Sequence, residues 1–211
     1  MTGLALVLLA ATGVIAAVDW AAVLKAARRI EYAAKPAVMV GLIAVALALN
    51  PVSSAERAFF IVALALGLAS DVFLMLPRDM FAAGLVAAMV EHLAYIAGFR
   101  ARDLNVALLA IATLIALVSV GAFVPPIYRA LQASRPKLVV PIIAYVGVFV
   151  VMVASAGGTG SLLALGGALL FFYSDAILAW NRFVKPIRLG RIVNIVPYHV
   201  GEALLVVSLV T

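Results

Sequence analysis

Apolar runs long enough to cross a lipid bilayer recur through the whole chain, and no other feature restricts its fold so tightly. A helical span needs about 17 to 25 residues, and runs of that size return about every 25 residues. No stretch alternates as barrel strands must. Lipid offers the backbone no hydrogen-bond partners, so the spans have to be α-helices. The sequence predicts an all-α, polytopic membrane bundle of eight transmembrane helices at approximately 3–18, 32–49, 57–76, 80–99, 104–121, 137–155, 161–180 and 193–210. Breakers stand between them at Asn50-Pro51, Pro77, Pro125-Pro126, Pro136, Gly157-Gly158 and Pro186. No connection is long enough to divide the chain, so residues 1–211 are expected to form a single transmembrane domain. The first run lacks a basic leader and is followed by seven more, which makes it a span rather than a signal peptide.

Charge then orients the bundle. Only 11% of residues are charged, against 67% hydrophobic, so the net charge of +6 is a matter of where a few basic residues sit. They lie in short connections, where they act as topology signals and contacts to anionic lipid head groups rather than to nucleic acid. The first, third, fifth and seventh connections hold Lys25, Arg28, Arg29, Arg78, Arg129, Arg135, Lys137, Arg182, Lys185, Arg188 and Arg191; the other side has Arg57, Arg100 and Arg102. Both termini are therefore expected outside and the basic loops in the cytoplasm, in a bacterial-type inner membrane. The absence of cysteine removes disulfides, thiolate metal sites and cysteine nucleophiles together.

Against this apolar background the buried acids stand out. Asp71 lies in the run 64–76 and Asp175 in the run 167–180, each preceded by serine. An ionisable side chain at that depth costs about 2.5 to 3.5 kcal/mol, and four uncompensated acids in the spans would cost on the order of 10 kcal/mol. Some must be protonated or paired. The Ser-Asp echo suggests two halves of four helices in the same orientation. Lys35 near the start of the second helix is either a topology anchor or a phosphate ligand. Glu91 and His92 are adjacent and point about 100 degrees apart. His92 taken alone reads as a packing histidine, and His199 with Glu202, three apart on one face, as a pair. Tyr95, Tyr145, Tyr173 and Tyr198 read as packing or interface groups. The two histidines lie on different helices with no metal-ligand spacing, so no metal or other cofactor is expected. No serine-hydrolase elbow, P-loop or dinucleotide turn is present.

Taken as a set, Tyr32-Ala-Ala-Lys35-Pro36, Ser70-Asp71-Val-Phe-Leu-Met-Leu, Phe81-Ala-Ala-Gly84 leading to His92-Leu-Ala-Tyr95-Ile, Tyr145, Phe172-Tyr-Ser174-Asp175 and Tyr198-His199 resemble the YhhN family, which includes the lysoplasmalogenases. The order and spacing of these motifs cover nearly the whole chain. The resemblance implies an eight-helix membrane hydrolase that cleaves the vinyl ether of a lysophospholipid substrate, giving a fatty aldehyde and a glycerophospho-alcohol. It implies a functional set of Lys35, Asp71, His92, Tyr145 and Asp175, to which the polarity of the last helix adds His199 and Glu202 as substrate contacts. Ser70 stands where the family usually has glycine, Glu91 where glycine commonly precedes the histidine, and Glu202 where glutamine is usual.

Vinyl ethers hydrolyse through rate-limiting protonation of carbon, which creates an oxocarbenium ion. That step needs a proton donor in a dry site and a negative charge beside the cation. Asp71 and Asp175 are expected to supply both, as paired carboxylates do in glycosidases. The rival expectation is a transporter or lipid-binding protein whose acids form a proton or cation site. A cleft confined to one leaflet favours the enzyme and a path to both faces favours transport.

Overall fold

The computed structural model describes residues 1–76 and 79–211, so the breaker at Pro77 and the loop charge Arg78 lie outside the described residues. Among the described residues, eight helices are long and apolar enough to cross a membrane. They are α1 (Gly3–Leu24), α2 (Arg28–Ala48), α3 (Ser54–Met75), α4 (Phe81–Phe99), α5 (Val106–Ser134), α6 (Val139–Gly158), α7 (Leu162–Ala179) and α8 (Gly190–Val207). The chain is an integral, multi-pass α-helical membrane protein. Each helix packs chiefly on its sequence neighbour, pairing α1 with α2, α3 with α4, α5 with α6 and α7 with α8.

Several boundaries depart from the sequence expectation: α1 runs on to Leu24 instead of ending near 18, and Gly157-Gly158 lie inside α6. Pro125 and Pro126 do not end the fifth helix; α5 runs through them to Ser134, so Arg129 is helical. Neighbouring helices and local adjustment re-satisfy the backbone groups that proline frees, which is why such helices continue inside a membrane. α2 begins at Arg28, which places Lys35 two turns inside the helix instead of at its start.

The two ends of the bundle are built differently. The helices that start at the weakly basic end are each capped by a side chain: Thr2 accepts from the Ala5 amide, Ser53 from Glu56, Asn105 from Leu108 and Ser161 from Ala164. The helices that start at the basic end, α2, α4, α6 and α8, have no side-chain cap. Turn carbonyls take up several of their first amides instead, as Ala26 does for Arg28 and Ile187 for Gly190, and Asp79 accepts from the Phe81 amide.

Packing follows small residues. Gly167 of α7 and Gly201 of α8 meet backbone to backbone: a Cβ on Gly167 would fall 2.8 Å from the Gly201 carbonyl oxygen, and one on Gly201 2.9 Å from the Gly167 oxygen. Only glycine permits that approach. Gly201→Ala is expected to lower stability by about 1–3 kcal/mol, because the obstacle is backbone and cannot step aside; thermal unfolding in detergent measures it. Toward the weakly basic end, Phe60 lies edge-to-face on Tyr95 at 4.8 Å and on Phe99 at 5.2 Å, all fully buried. That half of the interior is a packed core. The other half is not.

Candidate active site

Both Ser-Asp motifs are placed by the same local device. Ser70 Oγ donates to the Gly84 carbonyl at 3.0 Å, tying α3 to α4. Ser174 Oγ donates to the Asn194 carbonyl at 3.0 Å, tying α7 to α8, and Asn194 Nδ2 returns a bond to the Ser174 carbonyl at 2.9 Å. Each serine spends its hydroxyl on the next helix, and the aspartate that follows lines a common cleft.

Around Asp71, charge is balanced within the bundle. Lys35 Nζ lies 2.7 Å from Asp71 Oδ1, and Tyr198 Oη donates to Oδ2 at 3.0 Å. Asp71 thus has a donor on each oxygen and is held as an anion. Asp175 sits differently. Its Oδ2 accepts from Tyr145 Oη, with His92 Nε2 at 3.9 Å. Tyr145 Oη is also 2.8 Å from His92 Nε2. The single phenolic proton goes to Asp175, so the His92 nitrogen must be the donor to Tyr145. His92, Tyr145 and Asp175 form one hydrogen-bonded line ending at a carboxylate that is 20% exposed to the cleft.

The cleft encloses about 1030 Å³ including its open mouth. Its polar wall carries Lys35, Asp71, Glu91, Tyr145, Asp175 and Tyr198 together with Ser70, Ser174 and Asn194; the rest is apolar, with Phe81, Leu85, Ile127, Phe149 and Phe172 among the lining. The described lining stops near the middle of the bundle at Glu91, Phe149 and Phe171 and otherwise belongs to the basic half. A second, wider cavity of about 1470 Å³ lies at the basic end and is bordered by Arg28, Glu31, Arg191 and Asn181. The two share Lys35, Leu74, Leu178 and Asn194 in their walls. The two adjoin, a charged vestibule beside an apolar cleft. Asp79 and Arg182 bond across its rim at 2.7 Å, the guanidinium lies 4.2 Å from the Phe81 ring, and Phe81 meets Phe183 edge-on. The same bond holds the exposed Asp79 carboxyl below the usual aspartate range.

The structure thus brings together Lys35, Asp71, Tyr145 and Asp175, with His92 one step behind Tyr145. It does not bring His199 and Glu202 to the cleft, nor pair them with each other. His199 is buried and its Nδ1 accepts from Trp20 Nε1 at 3.1 Å. Glu202 accepts from Tyr95 Oη on α4 and meets the carboxyl of Glu91. The reason is rotation: Tyr198 faces the cleft, which turns its neighbour His199 about 100 degrees away toward α1. Tyr198 and Glu91 are the lining residues that a reading of single motifs passes over. Tyr95→Phe is expected to cost about 1–3 kcal/mol by leaving the Glu202 oxygen without its donor, readable as a lowered melting temperature with the cleft unchanged.

Against known proteins, the model of the YhhN family matches residues 30–209. The chain belongs to the YhhN family. Among its relatives are proteins named Lysoplasmalogenase TMEM86B. The human one is 30% identical over 132 residues, covering 61% of this chain and 53% of that protein. The pig protein is 32% identical over 134 residues, 62% of this chain and 54% of its own length. The mouse protein is 30% identical over 141 residues, 65% and 57% respectively. This YhhN chain spans about half the length of the curated relatives it matches. No solved structure matches it. The family match covers every residue that lines the cleft except those in the vestibule before residue 30.

Proposed function

We propose that this YhhN protein hydrolyses the vinyl ether of a lysoplasmalogen, releasing a fatty aldehyde and glycerophosphoethanolamine or glycerophosphocholine. The observation that carries the reading is the half-depth channel: an apolar tube of lipid character whose charged mouth and carboxylates lie on one side of the bundle. The relatives' printed name supports the reaction class. The basic loops favour a cytoplasmic mouth in an inner membrane.

In this reading the alkenyl chain lies among Phe81, Leu85, Phe149 and Phe172, the vinyl ether lies between Asp71 and Asp175, and the phosphate meets Lys35. Asp175 is the acid, because Asp71 is already committed as an anion to Lys35 and Tyr198. Tyr145, itself held by His92, donates to one oxygen of Asp175 and so orients the carboxyl group while the cleft-facing oxygen carries the proton. Asp175 transfers it to the alkenyl carbon remote from oxygen, and the C=C electron pair forms the new C–H bond. The adjoining carbon becomes an oxocarbenium centre, stabilised by the Asp71 charge across a dry cleft. Water adds to that carbon and gives its proton to the Asp175 carboxylate, which restores the acid. The hemiacetal then collapses to aldehyde and alcohol.

The pathway fixes where isotopes go. Turnover of a lysoplasmalogen by purified protein in heavy water is expected to place one deuterium on the aldehyde carbon next to the carbonyl, read by mass spectrometry. In oxygen-labelled water the glycerophospho-alcohol is expected to stay unlabelled, since its own C–O bond survives. Label in the alcohol, or release of intact lipid across a vesicle wall without products, would contradict the proposal.

A further inference from the structure

We propose that the seam between α4 on one side and α5 with the turn Trp180–Val184 on the other is a lateral gate, through which the lipid's hydrocarbon chain enters the cleft from the bilayer and the fatty aldehyde returns to it. The inference rests on the lysolipid reading above and adds the route that the chain takes.

The first support is where the apolar end of the cleft lies. Lys35 belongs to α2, which packs on α1, α3 and α8, whereas Val124 and Ile127 belong to α5, which packs on α6 and α7. All three line the cleft, so it runs across the bundle from its charged side, past Asp71 and Asp175, to α5. The helix α4 packs on α3 and α6, which leaves α4 and α5 as the walls of the far end. There Leu85, Val124 and Phe183 line the cleft and are each half-exposed, so in a bilayer their outer sides meet lipid. A membrane lipid already keeps its chain in hydrocarbon. Drawing that chain in through the charged vestibule would pass each methylene through water, a free-energy cost that the seam avoids.

The second support is how the seam is closed. Ile127, Leu131 and Ile142 form a small apolar cluster separate from the main core, and Leu85 of α4 packs against both. Trp180 and Phe183, from the turn after α7, pack on the same small cluster. Above it, Asp79 just before α4 bonds Arg182 on that turn and lies 3.9 Å from Arg135 at the end of α5. Asp79 is 60% exposed and Arg182 34%, so this latch is a screened surface pair that sets the closed position and yields to thermal motion. A satellite cluster of a few side chains likewise opens more readily than a main core. The backbone on the far wall is built to bend: residues 180–184 are wound as a π-helix, and Pro125 and Pro126 take two amides out of the α5 ladder beside Val124.

Neighbouring seams are fastened differently. Ser70 ties α3 to the Gly84 carbonyl, and α7 is joined to α8 by Ser174, Asn194 and the crossing at Gly167 and Gly201. Those joints hold backbone to backbone or hydroxyl to carbonyl, in buried surroundings. The seam beside α5 is held by apolar side chains and an exposed ion pair.

The test uses the full chain in phospholipid vesicles. The protein has no cysteine, so Asp79→Cys/Arg182→Cys puts the only thiols across the latch, where a short, reversible bis-methanethiosulfonate ties them. Two lysoplasmalogens are compared, one with a long alkenyl chain that stays in the membrane and one with a chain short enough to dissolve in water. Crosslinking is expected to lower aldehyde release from the long-chain lipid by at least about tenfold, to leave the short-chain rate nearly unchanged, and to be reversed by a thiol reductant. The same protein before crosslinking is the control for folding. A second readout does not depend on turnover: a long 1-O-alkyl lysolipid with a diazirine near its chain end has no vinyl bond and stays intact. It is expected to photolabel Phe149, which is 1% exposed and lines the cleft, and crosslinking should remove that label. Long-chain turnover and labelling that survive crosslinking, or an equal loss for both substrates, overturn the gate and leave the vinyl ether reaction standing. Labelling that is lost on crosslinking in a protein that releases no aldehyde keeps the gate and removes the reaction. A wild type whose Phe149 takes no label overturns the gate whatever its turnover.

Discussion

Asp175→Asn is expected to lower aldehyde release from a lysoplasmalogen by about 100- to 10,000-fold, the range that a positioned general acid contributes. Asparagine keeps the shape of the carboxylate and can still accept from Tyr145, so the helices should stay where they are. What it cannot do is carry a proton to carbon and take one back from the attacking water. The loss should therefore fall on kcat with the melting temperature nearly unchanged. Tyr145→Phe removes the donor that orients the Asp175 carboxyl group and leaves the acid itself in place, still open to water through 20% of its side chain. Its expected phenotype is a smaller loss of turnover and a shifted pH profile. Full activity in Asp175→Asn, with the fold intact, ends the assignment of Asp175 as acid.

Lys35→Met should act on stability first. It leaves Asp71, 4% exposed, as an uncompensated charge with only Tyr198 as donor, and breaking one side of a buried pair costs about 3–5 kcal/mol. The double variant Lys35→Met/Asp71→Asn removes both charges and is expected to recover most of that stability, since the folded state no longer holds a lone ion. Activity should not recover with it. The pair of measurements separates two roles of one salt bridge: thermal unfolding follows charge balance, and turnover follows the anion beside the reacting carbon. A double variant as active as wild type would reduce Asp71 and Lys35 to structural partners.

Residue type and depth already point to Asp71 and Asp175 in the sequence, because ionisable groups are expensive in a bilayer and each needs a reason to be there; His92 and Tyr145, which taken singly read as packing groups, join them and Lys35 only through the family resemblance. Their partners are less visible. The polarity of the last helix points to His199 and Glu202, yet Tyr198 on the neighbouring position is the group that faces Asp71. An ordinary amphipathic helix announces its buried face through the spacing of polar residues. Here the outer face meets lipid and the inner face meets other apolar side chains, so α5 exposes Val106, Leu114 and Val118 while burying Ala112 and Ala116. Apolar spacing carries no record of which side is inside.

The chain alone determines that eight apolar helices must cross a membrane, because its backbone has no other way to satisfy itself in lipid, and its basic residues mark one end of the bundle. Only the packed bundle decides which helix faces meet. It turns Tyr198 inward and His199 away, gives Glu202 to Tyr95 rather than to His199, carries α5 through two prolines, and lets a tight glycine crossing between α7 and α8 coexist with an open channel nearer the basic end. Those choices depend on contacts between residues far apart in sequence, and rotation about a helix axis has no local signature when both environments are apolar.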